Sequence, residues 1–372
     1  MRPMPLNRSP VSIAPLLRFE FARRLRATSL AVALILGALI PVPSSAQRFT
    51  TSASFVGAPG GSLSESMIAV GPDKILELTP QWVTFFQKNG TTISRTHINT
   101  WFADQPIPGG VISGDPVCYY DALRGRYLMA VMAGTAGSDL TLLWISKENA
   151  DPTNPANWWK YRLHDAQKDY PGIGVTDDKV ALRVRNDNRT YVLDRAQAYA
   201  GQYPAEPNLT PLEFEATTWL KPCRNTTSDA TLHIIGATAG AVRYWTVTGP
   251  ATNPVVTGPM VITIPTVNGL FGDIGTEQPD TSAFNSCEPR LLRGHVAAPV
   301  PETYVRNGKV TMTWTVERNY GDGSPTTSSI RVVRFRTSDQ VVLDDFQVGK
   351  PGMTYVFGSA VEDNNGTIFV GY

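Results

Sequence analysis

A short proline-opened apolar run returns along this chain at a coarse, regular interval, and that recurrence limits the fold more than any other feature. Prolines 116, 171, 222 and 289 each open such a run, at spacings of 51–67 residues. The runs are Asp115–Asp121 (DPVCYYD), Asp169–Asp177 (DYPGIGVTD), Lys221–Cys223 and Glu288–Gly294 (EPRLLRG). Ser66–Gly71 and Thr354–Asp363 extend the series at its two ends. Proline donates no hydrogen bond to a sheet ladder, so the start of a strand is where it costs least. Between openers the chain reads as strands and tight turns. Tyr127–Ala133 and Leu140–Ser146 are apolar strands separated by Gly134–Gly137, and Trp158–Leu163 follows the loop Asp151–Pro155. Lys179–Arg185, Thr190–Asp194, Thr231–Ala237, Ala241–Thr246, Lys309–Val316, Ser329–Arg336 and Val341–Phe346 repeat the logic. Eight Trp, 13 Tyr and many Val and Thr suit strands.

A period of about 50–65 residues made only of strands and turns is that of propeller blades. The sequence therefore predicts an all-β fold, a β-propeller of six blades, or of seven with the C-terminal part incomplete. A pair of β-sandwiches is the alternative that short strands and frequent turns also allow. The units open near 66, 116, 171, 222, 289 and 354. The last stops inside its second strand, so either residues 47–65 supply a further strand or the chain is a truncated product.

Residues 1–46 differ from the rest. Arg2, Arg8, Arg18, Arg23, Arg24 and Arg26 stand against the single acid Glu20. The apolar run Leu30–Ile40 follows, then the small-residue ending Pro41–Ala46. That order predicts a secretory signal peptide cleaved near Ala46, and a secreted or periplasmic mature chain of residues 47–372. The run is short for a membrane span, and an uncleaved anchor is the competing reading. Removing residues 1–46 leaves 27 Lys and Arg against 31 Asp and Glu. No basic cluster remains to attract nucleic acid or an anionic membrane.

Export permits a disulfide. Cys223 and Cys287 lie beside the prolines of successive openers and are the expected pair; Cys118 sits in an apolar strand as a core thiol. The histidines at 97, 164, 233 and 295 are scattered, so no metal site is expected, and no cofactor motif is present.

The segments 115–133, 140–163 and 169–180 resemble secreted bacterial β-propellers of the sialidase-like kind. The matching residues are Asp115, Pro116, Tyr120, Asp121, Gly125, Arg126, Tyr127, Ser146, Asp151 and Pro152. The resemblance implies a propeller whose ligand meets the axis. The Ser-x-Asp-x-Gly-x-x-Trp box of sialidases is absent, and no arginine triad with a Tyr/Glu pair can be placed.

In a propeller the axis is lined by the opening strands. The expected ligand-binding residues there are Asp115, Asp169, Glu288 and Arg290, with Asp121, Asp177 and Asp363 at the other strand ends. Carboxylates that converge could act on a glycoside, and an axial arginine could grip a carboxylate. Each aspartate also fits a turn-capping role. Trp82, Trp101, Trp158 and Trp159 are candidates for an exposed aromatic shelf. The function expected is binding of a glycan, surface polymer or protein partner. The alternative is an exo-acting glycoside hydrolase or lyase that uses axial carboxylates.

Overall fold

The computed structural model describes residues 67–371, apart from 105–106, 108–111, 135–139, 165–170, 184–188, 215–219, 239, 267–301, 324–326, 354 and 356–357. The chain from Ala53 to Tyr372 forms one compact unit.

It is a β-propeller. Sheet 1 is an antiparallel meander of β1 (Met67–Val70), β2 (Lys74–Leu78), β3 (Trp82–Gln87) and β4 (Thr92–His97). Sheet 2 repeats it with β5 (Ile112–Asp121), β6 (Arg126–Ala133), β7 (Leu140–Ser146) and β8 (Trp158–His164). Sheet 3 holds β9 (Gly172–Val175), β10 (Lys179–Arg183), β11 (Arg189–Asp194) and β12 (Leu212–Glu213). Sheet 4 holds β13 (Leu220–Pro222), β15 (Leu232–Ala237), β16 (Ala241–Thr248) and β17 (Val255–Thr263). Sheet 5 holds β18 (Glu302–Arg306), β19 (Lys309–Arg318), β20 (Thr327–Arg336) and β21 (Val342–Val348). The two-strand sheet 6 pairs β22 (Ser359–Glu362) with β23 (Ile368–Gly371). The first strand of each sheet lies beside the first strand of the next, from β1 through β5, β9, β13 and β18 to β22. The short β14 (Arg224–Asn225) pairs in parallel with both β9 and β18, and so joins sheets 3 and 5 into one nine-stranded sheet.

Strand periodicity explains the packing. Side chains alternate faces, so a strand buried on both sides reads as unbroken apolar sequence yet feeds two cores. Met129 and Val131 of β6, with Leu142 and Trp144 of β7, pack on Leu76, Leu78 and Phe85 of sheet 1. Their neighbours Leu128, Ala130, Leu143 and Ile145 pack on Ile173, Val175 and Leu182 of sheet 3. Ala181 and Val192 meet Leu220 and Ile234 between sheets 3 and 4. Ile235, Val242 and Tyr244 meet Val310, Met312 and Trp314 between sheets 4 and 5. Ile330 and Val332 of sheet 5 meet Ile368 and Val370 of sheet 6. Each large apolar side chain buried this way stabilises the fold by roughly 1.5–3 kcal/mol.

The hairpins are set by side-chain turns. The hydroxyls of Thr79, Thr176 and Thr238 accept from the amides of Trp82, Lys179 and Ala241, three residues on, at 2.9, 2.9 and 3.0 Å. Asn307 and Gly308, both at positive φ, close the two-residue turn between β18 and β19.

The opener expected at 288–294 lies outside the described residues, and the first strand described in the fifth sheet is Glu302–Arg306. In the last unit the innermost described strand, Ser359–Glu362, falls within the expected run Thr354–Asp363. A six-residue helix, Arg195–Ala200, replaces strand between β11 and β12, capped by Asp194, whose carboxylate accepts from the Gln197 amide.

Inner strands crowd where the sheets converge. A Cβ on Gly174 of β9 would stand 2.7 Å from Pro222 Cβ and 2.9 Å from the Cys223 carbonyl oxygen. Neither neighbour is a flexible side-chain end, so Gly174→Ala is expected to lower stability by roughly 1–3 kcal/mol. Urea unfolding checks this; a midpoint equal to wild type would contradict the close approach.

Candidate functional site

Asp115 lies within β5. Asp169, Glu288, Arg290 and Cys287 lie outside the described residues. What the described inner strands do bring together is Tyr119 of β5, Lys221 of β13, Arg224 of β14 and Glu302 of β18. Lys221 Nζ is 3.1 Å from Glu302 Oε1, and Arg224 Nη2 is 3.2 Å from Glu302 Oε2. The Arg224 guanidinium carbon stands 5.3 Å from the centre of the Tyr119 ring, within range of a cation–π contact. Strand alternation places the cluster: Leu220 turns into the core between sheets 3 and 4, so Lys221 turns the other way, towards sheet 5.

Burial and charge compete in this cluster. Burial pushes the Glu302 carboxyl up, but Lys221 and Arg224 outweigh it and hold the group below the ordinary glutamate range. Burial lowers the Lys221 ammonium, against the opposing charge of Glu302. Burial, then the charge of Asp121, pushes the Tyr119 hydroxyl up to about 12. Chemically the cluster offers fixed charges of both signs and an aromatic ring, which is equipment for recognition.

The carboxylates at the far strand ends hold structure. Asp121 is fully buried; it accepts from Tyr199 Oη at 2.7 Å, the Leu123 amide at 3.1 Å and Arg124 Nη1 at 3.4 Å. Asp177 pairs with Arg124, in the turn between β5 and β6, and accepts from Ser228, in the loop between β14 and β15. Asp363 accepts from the amides of Asn365 and Thr367 at 2.8 and 2.9 Å. Two further residues of the resemblance also hold structure. Ser146 Oγ accepts from the Tyr127 amide at 2.9 Å, and the Pro152 carbonyl accepts from Trp158 Nε1 at 2.9 Å.

The aromatic shelf is not present as expected. Trp101 and Trp158 are buried in the core between sheets 1 and 2. Trp82 is capped by Arg95, whose guanidinium carbon is 4.1 Å from the ring centre. Trp159 is capped by Lys147 at 4.4 Å and donates to the Tyr199 carbonyl at 2.9 Å.

Cys118 and Cys223 are buried free thiols, both pushed up to about 12 by burial, which leaves no thiolate for chemistry at neutral pH. Among the described residues, no group of three His, Cys, Asp or Glu is placed to hold a metal ion. His233 is instead held between Asp229 Oδ2 at 3.0 Å and Tyr244 Oη at 2.7 Å, a buried link from a loop to the sheet 4 core.

Sequence reasoning missed Lys221, Arg224 and Glu302. The signals were present: Lys221 and Arg224 flank the Pro222-Cys223 pair of an inner strand, and Glu302 follows Pro301.

No family model matches the chain, and no curated protein matches it. Solved structures do resemble it in shape. A protein of unknown function from Bacteroides caccae aligns over 76% of this chain and 81% of its own, at 8% identity and a TM-score of 0.41. An exo-1,5-α-L-arabinanase from a bovine ruminal metagenomic library aligns over 79% and 99%, at 11% identity and a TM-score of 0.37. A neuraminidase-like protein from A/bat/Guatemala/164/2009 aligns over 77% and 75%, at 8% identity and a TM-score of 0.38. At these values the likeness is one of architecture.

Glu302→Gln leaves two buried cations without their counter-charge, which costs roughly 3 kcal/mol at neutral pH. A carboxyl held below its unfolded value stabilises the fold above about pH 4.3 and loses that contribution as pH falls through its folded value. The stability gap between wild type and variant should therefore narrow in acid. Urea midpoints measured across pH 3–7 check this, and a gap constant with pH would contradict the ion cluster.

Proposed function

We propose that this chain is an exported propeller that binds a glycan, a surface polymer or a partner protein through the converging ends of its inner strands. The observation that carries the reading is the cluster of Tyr119, Lys221, Arg224 and Glu302, where three sheets place charges of both signs and a ring side by side. Binding sites hold their ligands with a few polar groups fixed in place by rigid elements. Asp121, Ser146 and Pro152 of the sialidase-like pattern are engaged in turns and seams. Export rests on the N-terminal signal sequence. Among the described residues no helix is long and apolar enough to cross a membrane.

Glycoside hydrolysis is the second reading. It requires two carboxyl groups about 5–10 Å apart in unlike environments. The described cluster contains one, Glu302, and both neighbouring cations keep it ionised. That suits an acceptor better than a proton donor.

The test is a glycan array probed with the purified protein and with Arg224→Ala. The account expects a defined set of bound glycans or polymers that is lost in the variant. Turnover of aryl glycosides by wild type, with no retention on the array, would sink the binding reading in favour of hydrolysis.

A further inference from the structure

Four matches to the oligosaccharide acceptor pattern Asn-x-Ser/Thr have their asparagine among the described residues: Asn89-Gly-Thr91, Asn208-Leu-Thr210, Asn225-Thr-Thr227 and Asn365-Gly-Thr367. An acceptor must offer its side-chain nitrogen to an enzyme, and the four differ in that. Asn225 is 1% exposed and spends its Nδ2 on the Asp229 and Thr231 carbonyls at 3.1 and 3.2 Å. Asn208 and Asn365 are exposed. In the second of these the Thr367 amide is given to the Asp363 carboxylate at 2.9 Å. Asn89 is exposed at the turn between β3 and β4. Its Oδ1 accepts from the Thr91 amide at 3.0 Å. That bond folds the three residues of the pattern into an Asx-turn. It draws charge onto the amide oxygen, which makes the Nδ2 protons easier to lose. The Gly90 amide, whose attack on the side chain starts spontaneous deamidation, is instead held by the Gln87 carbonyl at 3.0 Å.

We propose that Asn89 is a glycosylation site that takes an oligosaccharide from a polyprenyl pyrophosphate donor. In the transfer, Asn89 Nδ2 bonds to C1 of the first sugar and gives one proton to a base of the transferring enzyme. The bond from C1 to the pyrophosphate oxygen breaks, and the polyprenyl pyrophosphate leaves with its electron pair. The place in the fold suits a bulky adduct. Sheet 1 runs from its inner strand β1 to β4, and among the described residues β4 pairs with β3 alone. Ile93, just past Asn89 on β4, is 40% exposed. A free strand edge invites pairing with another chain, and a glycan at Asn89 shields this one. The cluster on the inner strands stays open, because Asn89 follows the third strand of its sheet. Entry to a glycosylating compartment rests on the export reading above.

The test is peptide mass mapping of the full chain secreted from a eukaryotic host. The Asn89 peptide should carry an oligosaccharide that a peptide amidase removes, leaving Asp at that position. Thr91→Ser should keep the glycan and Thr91→Ala should lose it, with both variants still secreted. Asn225 should be bare in every secreted molecule, and a glycan there would overturn the argument that burial selects the acceptor. Asn89 bare in secreted wild type, or carrying only the small mass gain of deamidation, would overturn the proposal. A chain that stays inside the cell counts against the export reading alone. The same full chain behind a host secretion signal then decides the proposal by the same peptide.

Discussion

Sheets 2 to 5 of this protein each have two apolar faces, and the sheets on either side bury them. That constraint organises the rest. A lone four-stranded sheet carrying Leu128 and Leu143 on one side and Met129 and Trp144 on the other could not stay in water. Stacking sheets side by side turns each face into half of a shared core. It also forces the first strands together, and there the packing leaves no room for a methyl group on Gly174.

Apolar faces do not fix how far one sheet slides along the next. Polar contacts between sheets set that register. Tyr199, on the helix after β11, reaches the buried Asp121 of sheet 2. Arg124, in the turn between β5 and β6, and Ser228, in the loop between β14 and β15, converge on Asp177. Thr226 donates to the Val305 carbonyl at 3.1 Å, Asn307 donates its amide to Thr227 at 2.8 Å, and Arg306 meets Asn364 in the last sheet. A buried carboxylate with several donors costs most when one is removed, so these contacts are specific as well as stabilising. Asp121 and Asp177 are therefore seams between sheets, while Asp363 caps its own turn.

The repeat was legible in the sequence because turns and prolines punctuate it locally. Strands Tyr127–Ala133 and Leu140–Ser146 stand where their apolar runs do. The first sheet was less legible: only its opening strand was marked, because Lys74–Leu78 and Thr92–His97 mix charged and apolar residues. The opener at 289 lies outside the described residues, and the first strand described in the fifth sheet is Glu302–Arg306, placed by its pairing with β19. Lys221, Arg224 and Glu302 were missed for a further reason. They come from three separated strands, and no spacing along the chain reports that β14 runs between β9 and β18. The tryptophans misled because large aromatic side chains serve a core between sheets as well as they serve an exposed shelf.

The central claim is that Asp121 and Asp177, at the ends of inner strands, bind sheet to sheet. A double-mutant cycle on Asp121→Asn and Tyr199→Phe measures it most directly, because Asp121 ends β5 of sheet 2, Tyr199 sits on the helix after β11, and the two share one hydrogen bond of 2.7 Å. The account predicts a coupling energy of about 1.5–3 kcal/mol, the range for a buried hydrogen bond to a charged group. Additive effects of the two substitutions would contradict it.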